Sequence, residues 1–187
     1  PGYKMVLDLR AGPGFDPQNP PHLAVWLENQ SFYHIKTLFV TDSNESRKEL
    51  PFWAFKRKGW EEAKKEAEAR ELDLEESLDA VSGATKNGSF DPADYILPTD
   101  QNESMPYRVL FEVNQPNDPS SKTEDQPSLV YEVEVDNYDP RTFQLLELIG
   151  FPEAEEVEEK TEWSLRYADE RIQSAFDLID SALLQIE

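Results

Sequence analysis

The chain has 187 residues, with 39 Asp plus Glu against 18 Lys plus Arg, a formal charge of −21 and no cysteine. This length supports one ordinary core, while the charge repels polyphosphates and anionic bilayers and so argues against nucleic-acid binding or a membrane-surface role. The missing cysteines exclude disulfide scaffolds, thiolate zinc sites, iron–sulfur ligation and thiol nucleophiles.

Tyr3 to Arg10 alternates Tyr3, Met5, Leu7 and Leu9 against Lys4, Asp8 and Arg10, the period-two pattern of a half-buried strand. Gly12-Pro13-Gly14 and the stretch Pro17 to Pro21 make an irregular connection. Leu23 to Leu27 reads as a short buried strand, Glu28 to Ser31 as a turn and Tyr33 to Thr41 as a second strand, so a hairpin is expected there. Trp60 to Leu72 is dominated by Glu, Ala, Lys and Arg and reads as a lightly anchored surface helix, an insert over about 58–74. Tyr107 to Asn114 and Ser128 to Asp136 are strong strands, the second with Leu129, Tyr131, Val133 and Val135 on one face. Between them, Asn117 to Pro127 is a polar connection. Thr142 to Ile149 fits strand or helix, and Gly150-Phe151-Pro152 is expected to end it. Trp163, Tyr167, Ile172, Ala175, Phe176, Ile179, Ala182, Leu183 and Ile186 recur at helical spacing, which predicts an acidic C-terminal helix.

No run of eighteen apolar residues occurs, so no helical membrane span is expected. No signal peptide is visible at Pro1-Gly2-Tyr3-Lys4, and a start at Pro1 reads as a processed or trimmed product. Charge is uneven along the chain. Residues 47–70 hold eight basic and five acidic side chains, a local balance of +3, which leaves −24 for the remainder.

Chemistry-bearing groups are sparse or undiscriminating. His22 and His34, the only histidines, sit in or beside strands and read as packing or surface residues. Asp136-Asn137-Tyr138-Asp139 and Asp91-Pro92-Ala93-Asp94 lack the spacing of a calcium loop and read as Asx turns. No Gly-x-Ser-x-Gly elbow or phosphate-cradling glycine loop is present, so no catalytic or metal residue is assigned. Trp26 and Trp53 read first as core, with stacking on an isoalloxazine ring as the alternative.

One string stands apart: Asp79-Ala80-Val81-Ser82-Gly83-Ala84-Thr85. It resembles the Asp-x-x-Ser/Thr-Gly-Ala-Thr motif used by bacterial flavin transferases, which cleave FAD and join its FMN half to the motif threonine. Thr85 would supply the attacking hydroxyl. Gly83 and Ala84 would keep the backbone slim enough to enter another enzyme, and Asp79 and Ser82 would shape the loop through backbone N–H groups. The same residues also suit a tight structural turn with Gly83 at positive φ. Where the flavin-carrying reductase subunits continue with Ser or Thr, this chain has Lys86-Asn87-Gly88.

Pro21-His22-Leu23-Ala24-Val25-Trp26-Leu27-Glu28, then Ile35-Lys36-Thr37-Leu38, Leu50-Pro51-Phe52-Trp53 and Asp79 to Thr85 together resemble the N-terminal half of domain-of-unknown-function family 2271. The match covers residues 21–88 and, more loosely, 107–137. That resemblance implies a periplasmic protein with an Ig-like antiparallel β-sandwich, set near flavin transferases and membrane reductases. The fold expected is therefore mainly β, an Ig-like sandwich over 1–150 with an inserted surface helix, followed by a C-terminal helical appendage at 151–187. The function expected is a non-enzymatic envelope accessory or electron-transfer protein carrying FMN covalently on Thr85, with a flavin transferase and a membrane reductase as partners. The competing expectation is a cofactor-free binding or assembly module in which 79–85 is only a turn.

Overall fold

The computed structural model describes residues 3–29, 32–41, 48–69, 89–90, 106–115, 127–136, 142–167 and 178–186. The segments rich in alternating β-branched and aromatic residues form strands: β1 (Tyr3–Ala11), β2 (His22–Glu28), β3 (His34–Val40), β5 (Tyr107–Asn114) and β6 (Leu129–Val135). A helix, α1, spans Pro51–Ala69, and a two-residue strand, β4 (Ser89–Phe90), follows it. The chain then closes with β7 (Phe143–Leu145), β8 (Glu147–Val157), β9 (Lys160–Arg166) and β10 (Ile179–Ile186).

The strands form two antiparallel sheets, one ordered β4-β1-β10-β7 and the other β3-β2-β5-β6-β8-β9, so the fold is mainly β and sandwich-like. Strand alternation gives the larger sheet two buried faces. Val25 and Leu27 of β2 with Val109, Phe111 and Val113 of β5 point toward the smaller sheet, where they meet Ala182, Leu184 and Ile186 of β10. Phe111 stacks on Tyr131 at 4.4 Å between ring centroids. On the opposite face Ala24, Trp26, Leu110 and Val130 pack against Leu50, Phe52 and Trp53 of the helix and its approach. Trp26 and Trp53 are thus core residues, as expected, although Trp53 sits in α1 and not at a strand edge.

Three expectations are corrected. The acidic C-terminal region forms strands joined by a turn at Glu158-Glu159, with no helix among its described residues. Residues 151–166 extend the larger sheet, and β10 sits in the middle of the smaller one. The apolar residues at 179–186 satisfy either period. Burial of Ala182, Leu184 and Ile186 follows period two because β1 and β7 flank them on both sides. Tyr167, counted in the helical stripe, is 92% exposed. Gly150-Phe151-Pro152 likewise does not end an element. β8 pairs with β6 over Glu147–Gly150 and passes to β9 from Phe151 onward, so Pro152 sits where only one neighbour is paired. Gly150 makes the transfer possible: its φ is 151°, and a Cβ there would lie 2.2 Å from the Arg166 carbonyl oxygen.

The helix also starts earlier than composition indicates, at Pro51 instead of about residue 58, and it is anchored by Phe52, Trp53 and Trp60, all nearly fully buried. Proline at the first helical position is the sequence signal for that start.

Candidate functional site

The helix-side face of the larger sheet carries polar groups inside apolar runs. Register places Glu28 of β2 beside Arg108 of β5 and Glu134 of β6, and Ala24 beside Glu112 and Val130 four residues along. Each of these acids is held by the strand alternation that buries its neighbours, as in Ala24-Val25-Trp26-Leu27-Glu28 and Leu110-Phe111-Glu112-Val113.

Glu112 is fully buried and caps α1 from a different element. Leu50, just before the helix, has no capping oxygen, Pro51 has no N–H, and the first turn holds no acid of its own. Instead the Trp53 N–H donates to Glu112 Oε1 at 2.9 Å, and the Phe52 N–H donates to Oε2 at 3.2 Å. The Ser128 hydroxyl donates to Oε2 at 2.6 Å. Burial pushes the Glu112 carboxyl up to about 7, against the opposing effects of the Ser128 hydroxyl and the two helix N–H groups. The carboxyl therefore fastens the start of α1 to the sheet and can exchange a proton near neutral pH.

A second cluster holds the β2–β3 turn. Glu28, 1% exposed, accepts the Trp26 Nε1–H at 2.8 Å and lies 3.5 Å from Lys56 Nζ. Burial raises the Glu28 carboxyl, Lys56 and Trp26 oppose the rise, Glu132 adds to it and Arg108 opposes it. Lys56 Nζ also donates to the Phe32 carbonyl at 2.7 Å. Arg108 donates to the Asn29 carbonyl at 2.8 Å, lies within 3.7 Å of Glu132 and 3.6 Å of Glu134, and rests 3.9 Å from the Phe32 ring centroid. Phe32 is 55% exposed at φ 64°, a left-handed conformation unusual for an aromatic residue. The turn bonds explain its persistence: Asn29 Oδ1 and N–H engage the Tyr33 N–H and carbonyl, while the Phe32 N–H bonds the Asn29 carbonyl. The two cations and the local bonds together hold an exposed aromatic against its intrinsic backbone preference.

Both histidines engage threonines: His34 Nε2 lies 2.7 Å from Thr37 Oγ1, and His22 Nδ1 lies 3.5 Å from Thr41 Oγ1. Among the described residues no group of three or more His, Asp or Glu is arranged to hold a metal ion. Outside α1 a shallow depression of about 370 Å³ is bordered by Trp53, Arg57, Lys58 and Glu61, with Arg57 5.5 Å from the Trp53 ring. A second hollow of about 300 Å³ enters between the two sheets and is lined by apolar side chains.

Asp79, Ser82, Gly83, Ala84 and Thr85 lie outside the described residues, as do the two Asx-turn strings apart from Asp136. The chain that carries the motif connects α1, docked on the larger sheet, with β4 at the edge of the smaller one. Sequence reasoning missed Glu28, Lys56, Arg108 and Glu112. With 39 acids in the chain, an individual carboxylate attracts no notice. The usable signal was narrower: a single acid within an otherwise apolar strand. No helix among the described residues is long and apolar enough to cross a membrane. No family model, curated protein or solved structure matches this chain.

Proposed function

We propose that the chain is a non-enzymatic accessory or electron-transfer protein of the cell envelope that carries FMN covalently through Thr85. The observation that carries this reading is the string Asp79-Ala80-Val81-Ser82-Gly83-Ala84-Thr85. Its donor chemistry suits the group: a threonine hydroxyl for the phosphoester, preceded by two residues with little or no side chain. In the attachment a flavin transferase directs Thr85 Oγ to the FMN phosphorus of FAD. The new O–P bond replaces the pyrophosphate bond, AMP leaves, and the hydroxyl proton passes to the transferase or solvent. The bound flavin would supply one- and two-electron transfer.

The motif-bearing stretch joins α1 to β4 in the chain, and a flavin attached there would be held at high effective concentration near a membrane reductase. The resemblance to family 2271 supports the envelope setting. A cofactor-free binding module is the second reading, favoured by the apolar hollow between the sheets.

Intact mass distinguishes the two. Protein produced with a flavin transferase in an exporting host is expected to gain one FMN, and Thr85→Ala to gain none. Unmodified wild-type protein beside a labelled acceptor in the same cells would remove the flavin reading.

A further inference from the structure

The hollow between the sheets is a slot with one long dimension. Met5, Leu7 and Leu9 form one wall, and every second residue of an extended strand advances about 7 Å, so these three cover about 13 Å. The floor reaches Val25, Val109 and Leu184, which are 6%, 1% and 1% exposed, so the slot penetrates the core. Its mouth is bordered by Leu38 and Phe39, 37% and 53% exposed. The opening lies between β3 and β1. β3 is the terminal strand of the larger sheet, and β1 pairs with β4 only at Tyr3 and Lys4 among the described residues.

Two kinds of occupant fit an apolar slot between strand edges: an added β-strand or a ligand without a backbone. The edges disfavour the strand. β3 slips register against β2 between Val25 and Trp26 and again between Leu27 and Glu28, each time with an extra residue on the β3 side. Bulged edges resist strand addition because their N–H and C=O groups lose the regular ladder spacing. The walls offer no polar side chain to orient a polar ligand. A closed apolar cavity of about 150 Å³ takes a benzene, which scales to about ten to twelve carbon atoms for this volume.

From this geometry we infer that the slot binds a single unbranched hydrocarbon chain of about ten to twelve carbons, its head left in water beside Leu38 and Phe39. The inference deepens the binding-module reading and holds whether or not Thr85 carries FMN. The source of the chain, a free amphiphile or the tail of a lipid, is decided by the head group.

Neutral n-alkanols are the suitable probe, because the charge of −21 repels fatty acids independently of the slot. Calorimetric titration of the unmodified chain with hexanol to tetradecanol is expected to show affinity rising about fourfold per methylene, then levelling near twelve carbons. Leu7→Trp, which fills the slot, and Leu38→Glu, which charges its mouth, are each expected to lower decanol affinity at least about tenfold. Circular dichroism checks folding, and if Leu7→Trp unfolds, the exposed Leu38→Glu variant decides. A lysolipid with a dodecanoyl tail binding as tightly as dodecanol identifies a lipid tail as an acceptable source, and much weaker binding restricts the slot to free amphiphiles. A flat series, a series that keeps rising through tetradecanol, or one unchanged in a folded Leu38→Glu variant would overturn the inference. Since no arm depends on FMN, its failure is separate from a failure of flavin attachment.

Discussion

The two faces of the larger sheet are made from the same strands yet are stabilised differently. Toward the smaller sheet the alternate residues are apolar throughout, as in Val109, Phe111 and Val113, and stability there follows area removed from water. Toward α1 the intervening positions include Arg108, Glu112 and, on β2, Glu28. An apolar face tolerates any partner of suitable shape. A face with a buried carboxylate accepts only a partner that brings donors, and here those donors are the unsatisfied N–H groups at the start of a helix. The comparison shows why α1 sits where it does: the sheet offers an acceptor for Phe52 and Trp53 that the helix's own sequence lacks.

The largest expected effect belongs to the apolar face. Phe111→Ala removes a fully buried ring stacked on Tyr131 and should cost about 4 kcal/mol in urea unfolding, with little pH dependence. Glu112→Leu leaves two helix N–H groups and the Ser128 hydroxyl without their acceptor and should cost about 3 kcal/mol. Glu112→Gln keeps one carbonyl acceptor and should cost about 1 kcal/mol. If both Glu112 variants are neutral, the two faces do not differ in the way described.

The pH dependence separates the faces more sharply. The Glu112 carboxyl is raised from 4.5 to about 7 in the folded protein, so between those values the folded state binds more protons than the unfolded chain. Its contribution to stability is fully present below about 4.5 and is lost as pH rises through about 7, a total of about 3 kcal/mol. Burial raises Glu28 and Glu132 in the same direction. Urea midpoints from pH 5 to 8 should therefore fall for the wild type and fall less for Glu112→Gln. Equal slopes would remove Glu112 as the titrating group. The smallest effect is expected away from both faces: Arg166 pairs with Glu153 and Glu155 while half exposed, and Arg166→Ala should change stability by less than about 1 kcal/mol.

Much of the sheet was legible locally. The alternation at Tyr107–Asn114 predicts β5 with the bounds it has, and β1, β2, β3 and β6 agree within two residues. Legibility failed where a segment's partner is distant. Ile179–Ile186 reads as helix by spacing and becomes a strand because β1, at the opposite end of the chain, pairs along it. The start of α1 is marked locally by Pro51 alone, since its capping oxygen is supplied from β5.

By itself the sequence determined the mainly β class, the central strands, the buried Trp26 and Trp53 and the motif at Asp79–Thr85, all of which rest on residue type and short-range period. Only the tertiary structure decided the strand character of the C-terminal region, the capping of α1 by Glu112, the clamp of Lys56 and Arg108 on the β2–β3 turn, and the slot between the sheets. The physical reason is that backbone alternation is a local property. Pairing partners, shared hydrogen-bond acceptors and the space left between two sheets depend on residues far apart in the chain.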